Sequence, residues 1–305
     1  MVYRYGVLMV SVLAALGLSA CDKGLPGNGT AAVGSGNQPG EAAAQKRKMY
    51  TEAYNDLIDP QAGLRDFATG YRELNIPQAD PKRDIYFPAS THLTLATSKL
   101  KEARALPGDE TTAAADAAAA PLIAKLEALF GQAETLDTYY KTRAYREDAL
   151  AKGKAADAPL LKAMDEVEQA LVAFDAALRE QEQVAATARI AALRKAGYDG
   201  HAAMVEMMQK GDRFTSAVIA NDIAAADRML PEFEAAVTAL SKATPKGPTA
   251  ASDKAGFAIL AGDGASMIGA WRDYKSRKDE SDRQRVVDSY NSAVTAAGMT
   301  TIPAT

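Results

Sequence analysis

Cysteine is almost missing from this chain, with one thiol, Cys21, in 305 residues. A lone cysteine cannot form an intramolecular disulfide, so the fold has to rest on packing and polar contacts. Histidine is nearly as scarce. Only His92 and His201 occur, which leaves little for general acid–base chemistry or a histidine-rich metal centre. An excess of one charge is also absent. There are 35 basic and 39 acidic residues, net −4, a balance that argues against nucleic acid as a partner. It argues equally against adsorption to anionic lipid by charge alone. No alternating run of β-branched residues makes a credible strand. Ser, Asp and Glu are plentiful but form no spaced catalytic motif, and pairs such as Asp165-Glu166 fall on a polar helix face. The expectation is a protein without catalytic residues and without a bound cofactor.

What is present begins with the placement of that cysteine. Arg4 and the amino terminus supply positive charge, and "VLMVSVLAALG" follows from Val7 to Gly17 without any. Such a run is too short to cross a bilayer core, which needs roughly 20 residues. A basic start, a short apolar core and small residues before a boundary describe an export signal over residues 1–20. The boundary "LSAC", Leu18 to Cys21, resembles the lipobox of bacterial lipoproteins at all four positions. That resemblance implies cleavage between Ala20 and Cys21 and acylation, as by palmitate, of the Cys21 sulfur. An ordinary signal peptide followed by a chance cysteine is the alternative. Loss of residues 1–20 removes only Arg4, leaving 34 basic and 39 acidic residues, net −5.

Residues 22–40, "DKGLPGNGTAAVGSGNQPG", hold six glycines and two prolines. That composition cannot bury enough apolar surface to offset chain entropy, so residues 21–40 are expected to form a disordered tether. Asp22 favours retention in the inner membrane of enteric bacteria and Lys23 weakens that signal, so inner and outer membrane both stay open.

The remaining chain, 41–305, is rich in Ala with Leu, Glu, Lys and Arg at helical spacing. The expected fold is all-α, an elongated antiparallel helical bundle of about seven helices around one or two long spine helices. The first is expected over about 41–74 with a kink near Pro60, and a long fourth one over about 144–196. Within the latter Leu160, Met164, Val167, Leu171, Phe174 and Leu178 alternate at spacings of four and three, a heptad seam. Gly197 is placed to end it. Asn221-Asp222 reads as an N-cap, "KATPKGPTAASD" (242–253) as a break, and Pro231 as a kink or a shifted boundary.

The most distinctive string starts at Tyr139, "YYKTRAYREDALAKGKAADAPLLKAMDEVEQAL". With "YTEAYNDL" at 50–57 and "VVDSYNSAV" at 286–294, it resembles the YiiG-like bacterial lipoproteins, which carry a domain of unknown function. The resemblance covers about residues 48–297 and is sharpest over 136–154. It implies an extracytoplasmic, lipid-anchored helical domain and brings no catalytic residues with it.

Two clusters are candidate sites. Tyr139, Tyr140, Tyr145, Asp148, Lys152, Gly153 and Lys154, with Arg143 and Arg146, could form a surface for an anionic or sugar-like ligand. Equally, the tyrosines could wedge a helix–helix corner with their hydroxyls at the rim. His201, Met204, Met207 and Met208 fall on adjoining turns, and imidazole with thioethers suits Cu(I). Methionines at that spacing also fill cores. "AGDGASMIG" (261–269) follows no strand and fails as a dinucleotide fingerprint; its glycines are read as close-packing positions beside Trp271. The functional expectation is a lipid-anchored envelope protein that binds or scaffolds an envelope partner without catalysing a reaction. A periplasmic copper or haem carrier is the first alternative and an uncharacterised enzyme the second.

Overall fold

The structure, a computed structural model, describes residues 39–303 apart from Pro248. The export signal, Ala20, Cys21 and nearly all of the expected tether therefore lie outside the described residues. Among the described residues the chain forms nine α-helices and no strand. They are α1 (Pro39–Ile58), α2 (Leu64–Glu73), α3 (Thr91–Ala105), α4 (Ala113–Lys141), α5 (Ala151–Lys195), α6 (Asp199–Ile219), α7 (Ile223–Ser241), α8 (Ala250–Arg277) and α9 (Glu280–Gly298). None is long and apolar enough to cross a membrane. The chain divides into two compact units, an N-terminal one ending at Gln181 and a C-terminal one starting at Glu182, so the boundary falls inside α5.

Two expected helices are shorter than their sequence pattern suggests. The first is split in two rather than kinked, because Asp59-Pro60 ends α1. A residue before proline is pushed out of the α region, and the Asp59 carboxylate accepts the amides of Gln61 and Ala62 at 2.8 and 3.0 Å. The fourth begins at Ala151 instead of about 144. Residues 144–146 form a 3₁₀ turn, and Arg143, Ala149 and Leu150 all have positive φ (56°, 51° and 67°). Three left-handed non-glycine residues cannot continue a right-handed helix. Other boundaries follow their signals. Gly197, at φ 79°, closes α5 while the Tyr198 amide donates to the Leu193 carbonyl at 2.9 Å. Asp222 caps α7 by accepting the Ala225 amide at 2.9 Å, and α7 runs on through Pro231.

In the N-terminal unit α1 packs on α3, and α3 on α4. The heptad seam of α5 is buried at Leu160, Met164, Val167, Phe174 and Leu178 and half-buried at Leu171. Phe174 inserts between Tyr50 and Tyr54 of α1, with ring centroids 5.5 and 6.4 Å away. Burying such a ring contributes about 2–3 kcal/mol. In the C-terminal unit α6 to α9 surround one apolar core in which Phe214 stacks on Phe233 at 5.3 Å and meets Trp271 edge-on at 5.9 Å. The Trp271 indole N–H donates to Asp227 at 3.0 Å. Of the glycines in 261–269, Gly264 is the close-packing one: a Cβ there would stand 2.6 Å from Val237 Cγ2.

Candidate functional site

The string from Tyr139 to Lys154 builds the corner between α4 and α5. Tyr139, Tyr140 and Tyr145 are all buried, so most of each ring packs into the core. They join Phe87, Phe67 and Tyr71 in one aromatic cluster, with Phe87 stacked on Tyr140 at 5.6 Å. Tyrosine suits this corner because each ring fills space while the hydroxyl reaches a polar partner at the edge. Tyr139 donates to Asp148 at 2.7 Å, Tyr71 to Asp157 at 3.0 Å, and Tyr145 to the Arg83 carbonyl at 3.1 Å. Arg143 and Arg146 both pair with Asp84, at 3.3 and 2.8 Å, which pins the extended segment around residues 83–87 to the corner.

Asp148 is the organiser. It accepts the Tyr139 hydroxyl and also the Lys152 amide at 3.0 Å, in the first turn of α5. The Tyr139 hydrogen bond, followed by backbone amides, holds the Asp148 carboxyl below its ordinary value. A depressed folded value means that this contribution is present above the ordinary carboxylate range and fades as pH falls. Burial, and then the bond to Asp148, push the Tyr139 phenol up to about 12.

Tyr140 breaks the pattern. Its hydroxyl is buried with no hydrogen-bond partner among the described residues. It faces the α-carbon of Gly153, where a Cβ would stand only 2.6 Å away. Tyr140→Phe is therefore expected to raise stability by about 1 kcal/mol, since it removes an unsatisfied polar group. Gly153→Ala should lower it by about 1–2 kcal/mol, overpacking outweighing better helix propensity. In a Tyr140→Phe background that penalty should shrink, as urea titrations of the four variants would show. A stabilising Gly153→Ala would mean the ring moves freely.

Beside the corner lies an open groove of about 420 Å³, lined by Glu134, Thr135, Thr138, Tyr139, Thr142, Ala144 and Lys152. The Lys152 ammonium sits 5.5 Å from the centre of the Tyr139 ring. Of the motif residues, Tyr139 and Lys152 thus meet at this groove. Gly153 and Tyr140 pack beneath the corner, and Lys154 is exposed on α5.

The His201 cluster divides between the apolar core and a buried hydrogen bond. Met204, Met207 and Met208 belong to the apolar core with Phe233 and Trp271. His201 is fully buried and its Nε2 lies 3.1 Å from Asp253 Oδ2, which also accepts the Thr249 hydroxyl at 2.7 Å. The rings of Tyr198 and Phe257 meet the imidazole edge-on, and Nδ1 has no partner among the described residues. Among those residues no three His, Cys, Asp or Glu side chains are grouped to hold a metal ion.

Among the buried charged groups that sequence reasoning missed are Lys46 and Asp253. Lys46 of α1 pairs with Asp116 at 2.7 Å and donates to the Leu106 carbonyl at 2.9 Å, while Tyr50 donates to the same aspartate. Asp253 is the other. The readable signal was position: Ala43, Lys46, Tyr50, Ala53 and Leu57 form one buried stripe, and so do Asp253, Phe257, Leu260 and Gly264.

No curated protein and no solved structure matches this chain. A family model described as a protein of unknown function, DUF3829, matches residues 41–297, which takes in α2 to α8, all but the last residue of α9, the corner and the groove. The chain belongs to that family.

Proposed function

We propose that this protein is a lipid-anchored, extracytoplasmic component of a bacterial cell envelope, related to the YiiG-like lipoproteins, that binds or scaffolds a partner without catalysis. The observation that carries the reading is "LSAC" at Leu18–Cys21, behind a short apolar run and ahead of a glycine-rich segment. Attachment falls to Cys21 in this reading, because none of the described helices can cross a membrane. More than one acyl chain gives stable anchoring where a single chain is marginal. The 19 residues from Cys21 to Pro39 would give a flexible span of roughly 20–25 Å, enough to hold the body just off the lipid. The binding role is supported by the groove beside the α4–α5 corner, whose tyrosine platform is fixed by Asp148.

Metabolic labelling with a fatty-acid analogue tests it. The wild-type chain should take up label and fractionate with membranes, and Cys21→Ser should lose both the label and the processing step. A Cys21→Ser chain that stays labelled or membrane-bound to the same extent sinks the reading.

A further inference from the structure

The groove beside Tyr139 carries one unpaired charge of each sign. Among the described residues neither the Glu134 carboxylate nor the Lys152 ammonium has an ion-pair partner. Lys152 is not loose, however, because its ammonium rests over the Tyr139 ring and that ring is locked by the hydroxyl's bond to Asp148. A cation held on a π-face keeps its N–H donors for a second, anionic partner. Glu134 stands five residues before Tyr139 on α4, about 7.5 Å along the helix axis. Two hydroxyls of the lining are oriented. Thr135 donates to the Gly131 carbonyl at 3.0 Å and Thr142 to the Thr138 carbonyl at 2.8 Å. With their protons committed, these oxygens face a ligand as acceptors.

We propose that this groove binds a short zwitterionic peptide, its carboxylate on Lys152 and its ammonium on Glu134. The inference deepens the reading of the chain as a binding module and does not depend on how the chain is anchored. Charge complementarity selects the ligand class, since a sugar acid would leave Glu134 unpaired against it and a polyamine would leave Lys152 so. A dipeptide is the shortest peptide to carry both charges, its extended ends about 7 Å apart, and so the smallest probe of the groove. The acceptor oxygen of Thr135, next to Glu134, suits an ammonium that donates three hydrogen bonds.

Isothermal titration of the full chain, purified in detergent at low salt, tests this with alanylalanine, its N-acetyl form and its C-terminal amide. In so open a groove alanylalanine should bind with a dissociation constant of about 0.1–1 mM. Each blocked form should bind at least about tenfold more weakly, one charge pair being lost. Lys152→Met should weaken alanylalanine about tenfold yet leave the amide unaffected, and Glu134→Gln should do the same for the acetylated form. Absence of binding at about 10 mM overturns the proposal. So does equal binding of free and blocked peptides, or equal weakening of every form by both variants. A negative titration of a chain that Cys21 still anchors would remove the ligand and leave the envelope reading standing.

Discussion

Lys46→Ala is expected to destabilise the N-terminal unit by about 1–3 kcal/mol, because it removes a buried side chain and leaves the half-buried Asp116 and Leu106 without their donor at the α3–α4 junction. The Lys46 side chain is 4% exposed, and its ammonium reaches Asp116 in the first turn of α4 and the Leu106 carbonyl just past the end of α3. A cation at the last carbonyls of one helix and an anion in the first turn of the next each suit the local helix dipole. The same aspartate accepts the Tyr50 hydroxyl, and burial followed by that bond drives the Tyr50 phenol upward. Removing the lysine leaves Asp116 served by Tyr50 alone and Leu106 without its donor. Urea unfolding of the full chain checks this. A loss below about 1 kcal/mol would mean that water replaces the ammonium at no great cost. A Lys46→Met, Asp116→Asn double variant should recover part of the loss, since the amide oxygen still accepts the Tyr50 hydroxyl and no charge is left without its partner.

His201→Ala is expected to cost the C-terminal unit about 3–5 kcal/mol. Two effects combine. The imidazole fills the space between the Tyr198 and Phe257 rings, so truncation opens a cavity. It also supplies one of two hydrogen bonds to a carboxylate that is almost completely buried, leaving Asp253 with Thr249 only. Asp253→Asn should cost far less, about 1 kcal/mol, because an amide oxygen can still accept from Nε2. Denaturant titration of the two variants separates these outcomes. Equal losses would show that the buried carboxylate, and not packing around the ring, sets the penalty, since Asp253→Asn leaves the imidazole between its aromatic neighbours.

Much of the secondary structure was legible from periodicity. The seam from Leu160 to Leu178 predicted the face that α5 buries, and Asp222 and Gly197 predicted their caps, because these signals act within a few residues. The boundaries that slipped depend on non-local forces. Ala149 and Leu150 are good helix formers by propensity. They are held left-handed because Leu150 is buried and Asp148 must turn back to meet Tyr139 and the first turn of α5. The candidate sites divide the same way. That tyrosines would pack a corner with hydroxyls at its edge follows from their amphipathic shape. That only Tyr139 and Lys152 of the motif reach a groove, and meet Glu134 and three threonines there, follows from where α5 restarts.

Alone, the sequence determined that the described body is helical, which stripes are apolar, and that its single thiol sits in a lipobox-like string ahead of a glycine-rich segment. It determined these because composition, period and short motifs are local properties of the chain. Tertiary structure decided which charges are buried and which remain free. Lys46 and Lys152 are the same residue type, each on a helix. Lys46 lies on the stripe that α1 turns inward and is consumed by Asp116, whereas Lys152 lies at the rim of a groove, held by a ring and still able to take a partner. The free energy of an ammonium depends on its solvent and on its nearest opposite charge, and both are set only when distant segments pack.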